Sequence, residues 1–204
     1  MTSDARTATS SPEALSAAEL EGLLAETGAL RRGHFILSSG LHSPVYVQCA
    51  LLLQYPGLAR RVGSALARRL ASLRPDSVLA PALGGLIIGH EVASALDVPC
   101  RFTERQGGEM KLRRSFALAP GERVVIIEDV ITTGKSTRET AALAEAAGAE
   151  VVAVGAIIDR SGGPNPFAQP FFSLMSLSAP VYDPASGEAL PDWGPAEKPG
   201  SRSS

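Results

Sequence analysis

The sequence is short of cysteine, of lysine and of long apolar runs, and each shortage removes a class of protein. Cys49 and Cys100 are its only cysteines, too few and too isolated for a disulfide framework or a Cys-rich zinc site, so both are expected as buried thiols in a reducing compartment. No apolar run approaches the roughly 20 residues of a membrane-spanning helix. The opening stretch MTSDARTATSSPEAL has neither a basic start nor an apolar signal core, so a cytoplasmic location away from membranes is expected. A strong charge of one sign is missing too: 19 Lys and Arg against 21 Asp and Glu leave a net charge of -2, which gives no general attraction to nucleic acid. Any anion site must therefore be built locally. His34, His42 and His90 share no metal-ligand spacing, and no protein-built metal site is expected.

What is present suits one folded unit: 204 residues, 45% hydrophobic and 20% charged, can bury a full core. Residues 1–15 are rich in Ser, Thr and Ala without periodicity, and 191–204 are rich in Pro, Gly and Ser, so both are expected as mobile tails on a single domain spanning 16–190. Ser16 and Glu19 form a capping box opening an amphipathic helix that Gly28 closes. HFILSSGLHSPVYVQC reads as two short strands about a Ser-Gly turn, and Pro56 opens a long helix with Leu58, Val62, Leu66 and Leu70 on one face. Short β-rich runs follow at 77–82, 99–104, 124–129 and 151–159, with helices over 85–96 and 136–147. Continuous apolar strands alternating with helices predict an α/β fold, a central parallel sheet covered on both faces. The apolar run FFSLMSL is either an edge strand or part of a cap.

Ligands of such sheets bind beyond the carboxyl ends of the strands. There the sequence places VVIIEDVITTGKST, residues 124–137: a buried strand, two carboxylates, then small and hydroxyl residues around one lysine. The backbone amides of 133–137 and the positive end of the following helix make an anion cradle, with Thr133, Ser136 and Thr137 as hydroxyl donors and Gly134 allowing close backbone approach. A nucleotide P-loop is excluded, because that motif needs a glycine where Asp129 stands. Acids ahead of a phosphate cradle suit a ribose 5-phosphate, since carboxylates accept hydrogen bonds from a vicinal diol. Separately, APALGG (80–85) ends a strand and opens a helix, so it is either a pyrophosphate-binding turn or a plain strand-to-helix turn.

The 124–137 stretch resembles the phosphoribosyl pyrophosphate motif of the type I phosphoribosyltransferases, with Glu128 and Asp129 as the acid pair and Val130, Ile131, Thr132, Thr133, Gly134, Lys135, Ser136 and Thr137 completing the binding segment. With the segments 34–54, 81–93, 102–116 and 157–160, about 130 residues resemble orotate phosphoribosyltransferases in order and spacing. The resemblance implies a type I fold with a small hood made by N- and C-terminal segments. It also implies transfer of ribose 5-phosphate from phosphoribosyl pyrophosphate to orotate in pyrimidine (UMP) synthesis, with Mg²⁺ arriving mainly on the substrate. Orotate would be held by Thr132 and Arg160 against an aromatic wall, Tyr46 or Phe35. ERQGGEMKLRR (104–114), with a flexible turn at Gly107-Gly108, reads either as a static surface hairpin or, as the resemblance implies, as a lid shared across a homodimer, with Lys111 first and Arg105 second as the catalytic cation. The chain departs from the family where lysines are common, at Ser38 and in the turn holding Ala82 and Leu83, and in a lid with one lysine and no histidine. Two rivals remain: a transferase of purine or another base, which would want a second acid where Thr132 stands, and a non-catalytic phosphoribosyl pyrophosphate-sensing regulator that binds nucleic acid, which would want a basic face.

Overall fold

The computed structural model describes residues 15–37, 39–186 and 191–199; residues 1–14 of the expected N-terminal tail, and Ser38, lie outside them. Helix α1 (Ala17–Glu26) opens on the reciprocal Ser16 and Glu19 capping box, and Gly28 follows it with φ +71°. Strands β1 (Leu30–Ile36) and β2 (His42–Val47) pair antiparallel, with a register break between Arg32 and Phe35. A short helix α2 (Ala50–Leu53) leads into α3 (Pro56–Leu70), where Pro56 occupies the first turn and Val62, Leu66 and Leu70 are buried while Arg60, Arg61, Arg68 and Arg69 face water.

The main sheet follows: β3 (Ser77–Pro81), β4 (Cys100–Gln106), β5 (Glu109–Leu112), β6 (Arg123–Ile131), β7 (Glu150–Asp159) and β8 (Phe171–Ser176), in the order β5-β4-β3-β6-β7-β8. Helix α4 (Gly85–Leu96) links β3 to β4 and α5 (Lys135–Ala146) links β6 to β7. All neighbours run parallel except β4 and β5, so the sheet is mixed rather than wholly parallel. The exception has a local cause: Gly107 and Gly108 both take positive φ, +60° and +86°, and fold the chain straight back on itself. FFSLMSL resolves as an edge strand, β8 beside β7.

Side chains along β6 alternate between the two faces of the sheet. Val125 and Ile127 pack with residues of α1, α3 and α4, whereas Val124 and Ile126 pack with Ala141 and Ala144 of α5. Residues 177–186 and 191–199 return to the β1–β2 pair to complete a hood: Tyr182 exchanges backbone bonds with His42, and Glu197 bonds to Ile36 N and His34 O at 2.8 Å each. Residues 191–199, for which composition predicts mobility, are thus seated on β1, where Glu197 also takes a two-pronged ion pair from Arg31 and Trp193 sits edge-on to His34.

Candidate active site

Strand order reverses between β3 and β6, since β3 leads outward to β4 while β6 leads the other way to β7 and β8. A crevice opens at such a reversal, beyond the strand ends. Pairing of β3 with β6 stops at Leu79–Ile126, whereas β6 stays paired with β7 as far as Ile131–Asp159. Glu128 and Asp129 therefore do not emerge past a strand end, as the sequence suggests. They belong to β6, on the stretch that β3 has already left.

The turn into α4 fills that gap. A Cβ on Gly84 would lie 2.6 Å from Asp129 Oδ1, and one on Gly85 would lie 2.6 Å from Ile127 O and 3.3 Å from Glu128 Oε1. Glycine at 85 is required by the approach to backbone, a Cβ at 84 would displace the Asp129 side chain, and the Ala82–Leu83 peptide beside them is cis. Glu128 is buried, 8% exposed, and Asp129 is half-buried. Their hydrogen bonds are local: Asp129 N donates to Glu128 Oε1 at 3.2 Å and Val130 N to Asp129 Oδ1 at 2.7 Å. Burial, and then the neighbouring Asp129 charge, pushes the Glu128 carboxyl up to about 9; burial also raises Asp129. Side by side, the two carboxyls disfavour being charged together. Burial first, and then the neighbouring Asp129 and Glu128 acids, hold the Cys49 thiol well above its ordinary range.

The loop after β6 has Thr132, Thr133 and Lys135 exposed, and Ser136 half-buried. Gly134 caps α5 in the left-handed region, and the amides of the first turn have no helical acceptor. One expectation needs correction. Thr137 is only 1% exposed, so it belongs to the packing of α5 and not to the surface of the cradle. Gly134 takes φ +70°, and a Cβ there would meet Phe167 Cε1 at 2.9 Å, so the glycine also seats the loop on an aromatic ring.

Arg160 follows β7 and its amide donates to Ile131 O at 2.7 Å, which fixes it laterally beside the start of the cradle loop and Thr132. The residue is half-buried, burial lowers its pKa, and among the described residues no carboxylate pairs with it. Of the two aromatic candidates, Phe35 is 2% exposed inside the hood, with Tyr46 at 5.7 Å ring to ring, so only Tyr46 retains surface. In the hairpin, Arg105 pairs with Glu139 of α5, Lys111 lies 3.5 Å from Glu109, and Arg114 pairs with Glu104. Thr103 and Thr140 share a buried hydrogen bond of 2.9 Å that ties the base of the hairpin to the cradle helix. Sequence reasoning missed Glu139, which also lies 3.9 Å from Lys135, and Phe167; nothing in their local sequence marks either one.

Residues 50–181 match the phosphoribosyl transferase domain. An orotate phosphoribosyltransferase of Thermotoga maritima is 50% identical over 183 residues, covering 90% of this chain and 98% of that protein. A second, from Carboxydothermus hydrogenoformans, is 44% identical over 186 residues, covering 90% and 97%. Among solved structures, orotate phosphoribosyltransferase from Aeropyrum pernix superposes with a TM-score of 0.66 at 27% identity, over 78% of this chain and 93% of that one.

Proposed function

This chain belongs to the orotate phosphoribosyltransferases, and from that premise we propose that it transfers ribose 5-phosphate from phosphoribosyl pyrophosphate to orotate, yielding orotidine 5-monophosphate and pyrophosphate. The observation that carries the reading is Arg160: a half-buried arginine, anchored beside the cradle loop and without a counter-charge among the described residues, suits an anion. Orotate is a flat ring with one carboxylate. Arg160 and Thr132 bind it, and Tyr46 supplies the wall.

The 5-phosphate sits on the amides at the start of α5, with Thr133 and Ser136 adding hydroxyls; Val130, Ile131 and Lys135 complete the segment. Glu128 and Asp129 accept hydrogen bonds from the ribose hydroxyls. This fixes the ring so that the incoming nitrogen lies in line with the departing pyrophosphate. Two adjacent carboxylates are hard oxygen donors that fit a Mg²⁺ whose remaining ligands are water and substrate oxygens. When bound, the ion offsets pyrophosphate charge. Lys111, with Arg105 in support, adds positive charge as the leaving group departs, and hairpin closure keeps water from the cation-like ribose. Arg105 must exchange Glu139 for the leaving group to do so.

Exposed Leu51, Tyr55, Leu83 and Ile87 support a homodimer that covers them. Its substrates are charged metabolites, and we place the enzyme in the cytoplasm on that ground; among the described residues no helix is long and apolar enough to cross a membrane. Calorimetry on Arg160→Ala tests the assignment. Orotate affinity is expected to fall about ten- to hundredfold, the size of a lost hydrogen bond to a charged group, with phosphoribosyl pyrophosphate affinity unchanged. Parallel loss of both affinities together with thermal stability would make Arg160 structural.

A further inference from the structure

Among the described residues, one buried side-chain polar atom has no hydrogen-bond partner: the Oγ of Ser161. Ser161 directly follows Arg160, so an orphaned hydroxyl and an uncompensated guanidinium are consecutive in the chain, just past the end of β7. Its backbone is held firmly, since Ser161 N donates to Asp159 Oδ1 at 2.8 Å and Leu177 N donates to Asp159 O at 2.8 Å. The position is thus fixed while the hydroxyl is left unused. Buried hydroxyls are normally satisfied, because leaving one without a partner costs free energy that a plain alanine would avoid. Serine at this position thus keeps a donor that the described residues leave unused.

We propose that Ser161 is a specificity-determining residue whose hydroxyl donates to an oxygen of the anionic ring held by Arg160. Orotate suits both groups, since its rim is mostly oxygen acceptors: a guanidinium takes the carboxylate, and a hydroxyl takes a second oxygen. A site that keeps an unpaired donor for its substrate also penalises a ring that lacks the matching acceptor, because the donor then remains unsatisfied. The inference rests on the functional reading above, in which Arg160 binds orotate.

The test uses the full-length protein with Ser161→Ala and Ser161→Cys, the latter nearly the same size but a poor donor. Denaturant unfolding of the empty proteins and KM for each substrate are measured together. Expected for Ser161→Ala is an unfolding midpoint equal to or above wild type, an orotate KM raised about tenfold, and an unchanged KM for phosphoribosyl pyrophosphate; Ser161→Cys repeats the KM change. An orotate KM within about twofold of wild type in both variants overturns the proposal, as does a lower unfolding midpoint in Ser161→Ala, which would reveal an internal partner. Wild type that consumes no orotate overturns the reading beneath it, and is distinguished because that result does not involve the variants.

Discussion

Glu128 shows how a single side chain is set by what surrounds it. Its carboxyl lies in the core, under the α4 turn and beside a second acid, and its pKa is pushed up to about 9 for those two reasons. In the empty protein a pKa raised above the ordinary 4.5 means that this group's contribution to stability is complete below about pH 4.5 and is lost as pH rises toward about 9. Hydroxyls that donate to the pair favour its charged form, so binding of phosphoribosyl pyrophosphate should expel a proton. Calorimetry at pH 7 in two buffers of different ionisation heat is expected to show net proton release, and Glu128→Gln should remove most of it. Identical heats in both buffers would mean that ribose hydroxyls do not meet these acids. The identity of the pair is legible in the sequence, because two acids between an apolar run and a hydroxyl-rich turn have few other uses. Its burial is not, since that depends on Gly84 and Gly85, more than forty positions earlier in the chain. Thr137 misled for the same reason: spacing puts a hydroxyl in the cradle, and helix phase turns it inward.

Elements were more readable than residues. Helices α3, α4 and α5 and strands β3, β6 and β7 follow from apolar period and from Pro and Gly punctuation, and they fall within a few residues of expectation. Two features go beyond the expectation. Strand β6 runs on to Ile131 because β7 continues to pair with it after β3 turns away, a tertiary event that no local pattern records. The hairpin of β4 and β5 adds an antiparallel edge, although its Gly107-Gly108 turn was the visible cue. Arg105 and Glu139, with Thr103 and Thr140 below them, join this hairpin to α5, so the segment bearing the candidate cations and the segment bearing the cradle share one support. That link joins residues 37 apart in sequence, and spacing alone does not announce it.

At the scale of the whole molecule, hood and sheet are made by chain segments far apart in sequence. Glu197 closes on Arg31 and Trp193 on His34, which seats residues 191–199 on the strand that precedes Tyr46. The proposed homodimer adds a second copy to this arrangement. If the hairpin of one subunit serves the site of the other, mixing Lys111→Ala protein with Asp129→Asn protein should recover up to about a quarter of wild-type activity, since random pairing gives half heterodimers, each with one intact site. Homodimers of either variant remain impaired at both sites. Absence of recovery after demonstrated subunit exchange would put hairpin and cradle in the same chain.

The central claim is that a phosphoribosyl cradle and an anion-selecting arginine act on one substrate pair. It is tested most directly by following base consumption with phosphoribosyl pyrophosphate and Mg²⁺, using orotate, uracil, hypoxanthine and adenine in parallel. The account predicts stoichiometric loss of orotate with matching pyrophosphate release, and turnover of the three uncharged bases lower by about a hundredfold or more, because none brings a carboxylate to Arg160. Turnover of a purine or of uracil at a rate equal to or above that of orotate would contradict it.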